Sequence, residues 1–200
     1  MPCAKCHAVT YQHEPKILFF DIETTPFVSY TWGLWETDVV KVIDNSYILC
    51  VAYKWKGGRM KFIRTNGNDK KLCEELHELF SEADIIVAHN GDKFDIKKTN
   101  ARLIYWGMTP PEQYKTIDTL KLAKKHFSFP RNKLDSLGEF FDLGRKVKHE
   151  GIDLWDLCMK GDAVAWKRME RYNRQDVVLL EKVYNKLLPW MKPLIIKHIK

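Results

Sequence analysis

The spacing of apolar positions changes several times along the chain, and each change marks an element. Ile17 to Phe20 is a short continuous apolar run, the pattern of a buried strand. Tyr47 to Trp55 predicts a second strand, Lys56-Gly57-Gly58-Arg59 a hairpin turn, and Met60 to Thr65 a third strand. Asp69, a residue type that caps helix N-termini, opens a helix, with Leu72, Leu76, Leu79 and Phe80 on one face. Asp84 to His89 is mostly apolar again, as expected of a strand covered on both sides, and after Asn90-Gly91 a helix runs from about Ile96 to Trp106. Thr116 to Leu120 is a short strand or turn entering a helix over Leu120 to His126, and another helix spans Lys133 to Phe141. Ile152 to Met159 reads as a short apolar turn, and a long helix starts at Asp162, expected to turn Ala163, Trp166, Met169, Tyr172, Val177, Leu180 and Tyr184 inward. Hairpin strands followed by alternating helices and strands imply an α/β fold with a mixed sheet flanked by helices.

Phe27 to Ser46 fits neither period, although it carries Phe27, Tyr30, Trp32 and Trp35. A long irregular loop beside a strand end is often functional, and two uses of its aromatics are open: packing onto the domain, the expectation here, or stacking on bases.

Composition narrows the class. With 200 residues, 45% hydrophobic and 30% charged, the chain can bury one good core. No apolar run approaches the ~20 residues that span a bilayer. The N-terminus lacks the layout of a secretory signal, so an intracellular, cytoplasmic protein with no membrane partner is expected. Cys50, Cys73 and Cys158 sit singly in apolar patterns, which suits free thiols in a reducing compartment. The net charge of +7 favours a polyanionic partner.

Candidate chemistry lies where apolar runs end in acids. Asp21 and Glu23 follow the first strand two residues apart and so share a face. Two carboxylates held together repel unless a cation sits between them, and Mg²⁺ or Mn²⁺ takes such oxygen ligands; the other reading is a solvated strand end and turn, which acidic residues and Thr25-Pro26 also favour. Asp95 falls in the first turn of the helix after the fourth strand, where it either complements the helix dipole or joins the same sheet edge. Tyr172 and Asp176, four apart, share a face of the last helix; a buried carboxylate there needs a partner or a metal.

Asp21-x-Glu23, Asn90-x-x-x-Phe94-Asp95 and Tyr172-x-x-x-Asp176, in this order, resemble the three motifs of the DnaQ-like 3′-5′ exonucleases. These are the DEDD nucleases of the ribonuclease H-like fold, here in the tyrosine subclass, since the histidine subclass would place its histidine where Arg171 stands. The resemblance covers about residues 15–190, and Lys133-Leu-Asp-Ser-Leu, Gly161-Asp162 and Tyr172-Asn-Arg-Gln-Asp176 look like phage-type and stand-alone bacterial members. It implies that Asp21 bridges two divalent cations, Mg²⁺ or Mn²⁺, with Glu23 and Asp176 completing one site and Asp95 holding the other. Two cations about 3.5 to 4 Å apart can clamp both the attacking and the leaving oxygen of a phosphodiester. It further implies that Tyr172 aims the attacking water and that Asn90 and Phe94 support the terminal nucleotide. The implied substrate is a single-stranded DNA or RNA 3′ end. Basic residues around Lys93–Arg102, Lys121–Lys125 and Lys167–Arg174 either supply a surface for backbone phosphates or are the scattered charges of solvated helices, and no single phosphate contact is assigned to them. A separate polymerase or a replication or repair protein is a further expected partner. Two other readings are a catalytically silent nucleic-acid-binding adaptor, which need not keep all the carboxylates, and a structure-selective endonuclease on the same fold.

Residues 1–14 form an N-terminal extension, and the domain is expected over 15–200. Cys3 and Cys6, with His7 and His13, are either part of a loosely packed tail or a small zinc site, thiolate and imidazole being zinc's preferred ligands. The same letters match a c-type haem attachment sequence, which the lack of a secretory signal disfavours.

Overall fold

The structure, a computed structural model, describes residues 14–146 and 151–196, the last five by backbone only. Cys3, Cys6, His7 and His13 lie outside the described residues.

Five strands make the main sheet: β1 (Ile17–Thr24), β4 (Ile48–Trp55), β5 (Lys61–Arg64), β6 (Ile85–Ala88) and β7 (Lys115–Asp118), in the order β5-β4-β1-β6-β7. The β1/β4 and β4/β5 pairs are antiparallel, and the β1/β6 and β6/β7 pairs parallel. The segment Thr116–Leu120 divides at Asp118, which ends β7 and caps α3 (Thr119–His126), its carboxylate accepting from the amides of Leu120 and Lys121.

Alternation along β1 sorts its side chains into two cores. Leu18, Phe20 and Ile22 pack under α1 (Lys70–Glu82) and α2 (Asp95–Tyr105). Ile17 and Phe19 face α3, α4 (Leu134–Phe140) and α6 (Ala163–Ile196). By the same alternation Asp21 and Glu23 face α6.

Three expectations are corrected. Ile152–Met159 is a helix, α5, whose Leu154 and Cys158 pack with Trp166 and Met169 of α6, so the apolar spacing reflects a buried helical side. Asp69 does not cap α1 through its side chain. Its carboxylate is taken by longer-range donors: Arg102 by two bonds of 2.8 and 2.7 Å, the Trp106 indole at 2.8 Å and the Ile48 amide at 2.9 Å. Burial alone would raise its pKa, but the Arg102, Ile48 and Trp106 bonds outweigh that and hold Asp69 below the usual carboxylate range.

The third correction concerns Phe27 to Ser46, which contains a two-stranded arm, β2 (Val28–Tyr30) with β3 (Lys41–Asp44). Its tryptophans do not pack onto the domain: Trp32 is 81% and Trp35 94% exposed. Phe27, at the root, lies beside Lys98 of α2 with the ammonium 5.5 Å from the ring centre.

Candidate active site

The site forms where three elements meet at the distal half of β1. Strand β6 accompanies β1 only as far as the Phe19/Val87 pair, so the Ile22 amide needs another acceptor. Asp95, at the start of α2, takes the place of the missing strand and accepts from Ile22 N at 3.1 Å. The turn that delivers it is tight: Asn90 has φ 69°, and a Cβ on Gly91 would lie 2.4 Å from the Ala88 Cβ, so glycine is required. Asp118 holds this turn through the Asn90 amide at 2.9 Å.

Helix α6 supplies the opposite wall. Tyr172, Asn173 and Asp176 are buried on the face towards β1. One carboxylate oxygen each from Asp21, Glu23 and Asp176 lies within 4.8 Å of the others. Asp95 is outside that triplet but close enough to be the largest charge acting on Asp21. The structure therefore brings together all four acids named from the sequence.

Their environment favours neutral forms or an added cation. Burial first, then Asp95, Glu23 and Asp176, push the Asp21 carboxyl well above its ordinary range. Glu23 is raised to about 8, by burial and then by Asp176, and Asp95 to about 7, chiefly by burial. The Tyr172 hydroxyl, hydrogen-bonded with Asp176, is pushed far above an ordinary phenol by burial and then by Glu23. It stays protonated at neutral pH and can donate or accept a hydrogen bond. Its ring meets Trp155 edge-on, with centroids 6.1 Å apart. Of the two expected nucleotide-supporting residues, Asn90 lies in the turn and Phe94 presents a ring that is 37% exposed just before α2.

Two participants were not assigned roles from the sequence. Lys146, one cation of a basic stretch after α4, places its ammonium against Asp176 and 5.5 Å from the Tyr172 ring centre. Asn173, one residue after Tyr172, donates its amide to the Asp21 carboxylate at 2.7 Å and to the Asp21 carbonyl at 3.0 Å. The signal for Asn173 was present: a position three before Asp176 lies on the same helix face. Asn173→Ala should lower turnover by roughly ten- to a hundredfold, since Asp21 would lose the donor that fixes its rotamer. It should also cost about 1–3 kcal/mol of stability, for the unmet hydrogen-bonding needs at Asp21. Unchanged single-turnover rates would show that Asp21 is held without it.

A mixed five-stranded sheet flanked by helices, with acids from the central strand and the last helix on one face, defines a ribonuclease H-like α/β domain. A sequence model of the RNase_H superfamily matches residues 18–188, and the chain belongs to that superfamily. It is 25% identical over 120 residues to the PolC-type DNA polymerase III of Ureaplasma parvum, a match covering 60% of this chain and 8% of the polymerase. In structure it is similar to the family B DNA polymerase of the hyperthermophilic archaeon Pyrobaculum calidifontis, with a TM-score of 0.69 and 18% identity over 88% of this chain and 25% of the polymerase. The chain thus spans a small part of either relative's length. No helix of the described residues is long and apolar enough to cross a membrane.

Proposed function

We propose that the protein is a metal-dependent 3′-5′ exonuclease that releases 5′-mononucleotides from single-stranded DNA or RNA. One observation carries this reading: Asp21 and Glu23 of β1, half-buried, converge with the buried Asp95 of α2 and the buried Tyr172 and Asp176 of α6 on a single cluster. The similarity to regions of two DNA polymerases supports a nucleic-acid substrate. The donors fit hard divalent cations such as Mg²⁺ or Mn²⁺: all are oxygens, three lie within 4.8 Å, and an ammonium is already drawn among them. Asp21, Glu23 and Asp176 would hold one cation, with Asp95 serving a second alongside Asp21. Bound cations there supply Lewis-acid stabilisation of charge on the phosphate and lower the pKa of water.

The chain's own residues do the rest. Asn173 fixes Asp21, and the Ile22 amide fixes Asp95. Asp176 orients the Tyr172 hydroxyl, whose remaining hydrogen-bonding capacity can aim a water molecule at phosphorus. With its pKa so high, Tyr172 positions that water and does not act as its general base. Phe94, at the rim, offers a face for the terminal base.

Digestion of 3′-labelled and 5′-labelled single-stranded DNA and RNA in Mg²⁺ or Mn²⁺ tests this reading. Mononucleotides should appear at once from the 3′ label, the 5′ label should shorten stepwise, and EDTA should stop both. Internal cuts would assign an endonuclease, and binding without cleavage a silent binding protein.

A further inference from the structure

We infer that Lys146 is a built-in counter-ion that competes with the divalent cation for Asp176, so that metal enters the site only by displacing the ammonium. The inference rests on the metal-site reading above and adds what determines its occupancy.

Lys146 is not a casual surface lysine. Its side chain is 31% exposed, while the Asp176 carboxylate it meets is 1% exposed. Burial alone would weaken the charge on the ammonium, but Asp176, Asp21 and Glu23 outweigh it, and Asp95 feels the same ammonium, so one cation acts on all four acids. The backbone that presents it is anchored separately. The Lys146 amide donates to Asp135 Oδ1 at 2.8 Å, and the neighbouring Arg145 pairs with Asp135 at 3.3 Å and with Glu139 at 3.2 Å. Asp135 is the acid of the Lys133-Leu-Asp-Ser-Leu stretch, which the cleavage mechanism otherwise leaves without a role. Beside that contact, a Cβ on Gly138 would lie 2.5 Å from the Gly144 carbonyl, so α4 and the approach to Lys146 are closely fitted. With α4 holding the lysine's backbone, only its flexible four-carbon side chain has to move.

Competition follows from the shared ligand. An ammonium and a divalent cation repel each other and seek the same buried oxygens of Asp176, so the site cannot satisfy both at that corner. Without metal, Lys146 offsets part of the repulsion among the carboxylates and keeps the cluster assembled. With metal bound, the lysine must withdraw.

Mn²⁺ titration followed by electron paramagnetic resonance, on the full chain without nucleic acid, tests this. Lys146→Met should bind Mn²⁺ roughly tenfold more tightly than wild type, whereas Lys146→Arg, which keeps the charge, should bind as wild type does. Should Lys146→Met not fold, Asp135→Ala keeps the question decidable: it frees the anchored backbone, leaves every acid of the cluster in place, and should tighten Mn²⁺ binding by less. Unchanged or weaker Mn²⁺ binding in the folded variants would overturn the inference, because a lysine that only packs, or that assists the bound metal, would not compete with it. Asp176→Asn in the same titration separates the two levels. If it weakens Mn²⁺ binding while Lys146→Met does not tighten it, the Lys146 role alone falls; if Asp176→Asn has no effect, the metal site falls with it.

Discussion

Asp21→Asn is expected to lower nucleic-acid hydrolysis by roughly a thousandfold or more while leaving the chain folded. Asp21 sits among the other acids and is held by Asn173, and asparagine keeps both its shape and an oxygen for that amide. What is lost is the charge that would bind cations. The metal-free protein should gain stability, or at least hold it, because one of several mutually repelling carboxylates is gone. The pH dependence gives the prediction its sign. Glu23 is raised from 4.5 to about 8 and Asp95 from 3.8 to about 7, so the folded state binds more protons than the unfolded chain between those values. Metal-free wild type should therefore lose stability as pH rises through about 4.5 to 8, and Mn²⁺ should restore it. In Asp21→Asn the decline should be shallower. Melting temperatures across that range, with EDTA and with Mn²⁺, check both statements. A wild-type melting temperature that climbs with pH in EDTA, or a variant with near-normal turnover, would remove the metal assignment.

Much of the site was legible because regular periodicity carries it. The two-residue repeat put Asp21 and Glu23 on one face of β1, the four-residue repeat put Tyr172 and Asp176 on one face of α6, and the parallel β1/β6 pairing brought Asp95 to the same end. What periodicity could not supply were contacts made across the fold. The Asp69 carboxylate looks like a local helix cap until Arg102 and Trp106 are seen to reach it from α2 and its end. Lys146 is thirty residues from Asp176, and in sequence it is one cation in a basic stretch. The arm of β2 and β3 was read as irregular because its strands are short and carry no tight two-residue turn between them. Its exposed Trp32 and Trp35 run against the expectation that large aromatics are buried.

Tyr172→Phe separates positioning from ligation. The phenyl ring keeps the packing against Trp155, and the four acids and Lys146 remain, so Mn²⁺ affinity should match wild type. The lost hydroxyl removes one hydrogen bond with Asp176 and the group that aims the water. Single-turnover cleavage should fall by roughly ten- to a thousandfold, with substrate affinity little changed, as when an interaction made mainly in the transition state is deleted. Asp176→Asn should behave differently, weakening Mn²⁺ binding as well as turnover, because it removes a ligand and the partner of Lys146 together. Single-turnover rates and Mn²⁺ titrations on both variants distinguish the roles. If Tyr172→Phe cleaves at the wild-type rate, the tyrosine is a packing residue on α6 and another group aims the water. If it instead weakens Mn²⁺ binding as much as Asp176→Asn does, the hydroxyl acts by holding Asp176 in its ligating rotamer, and the water has to be aimed from elsewhere in the site.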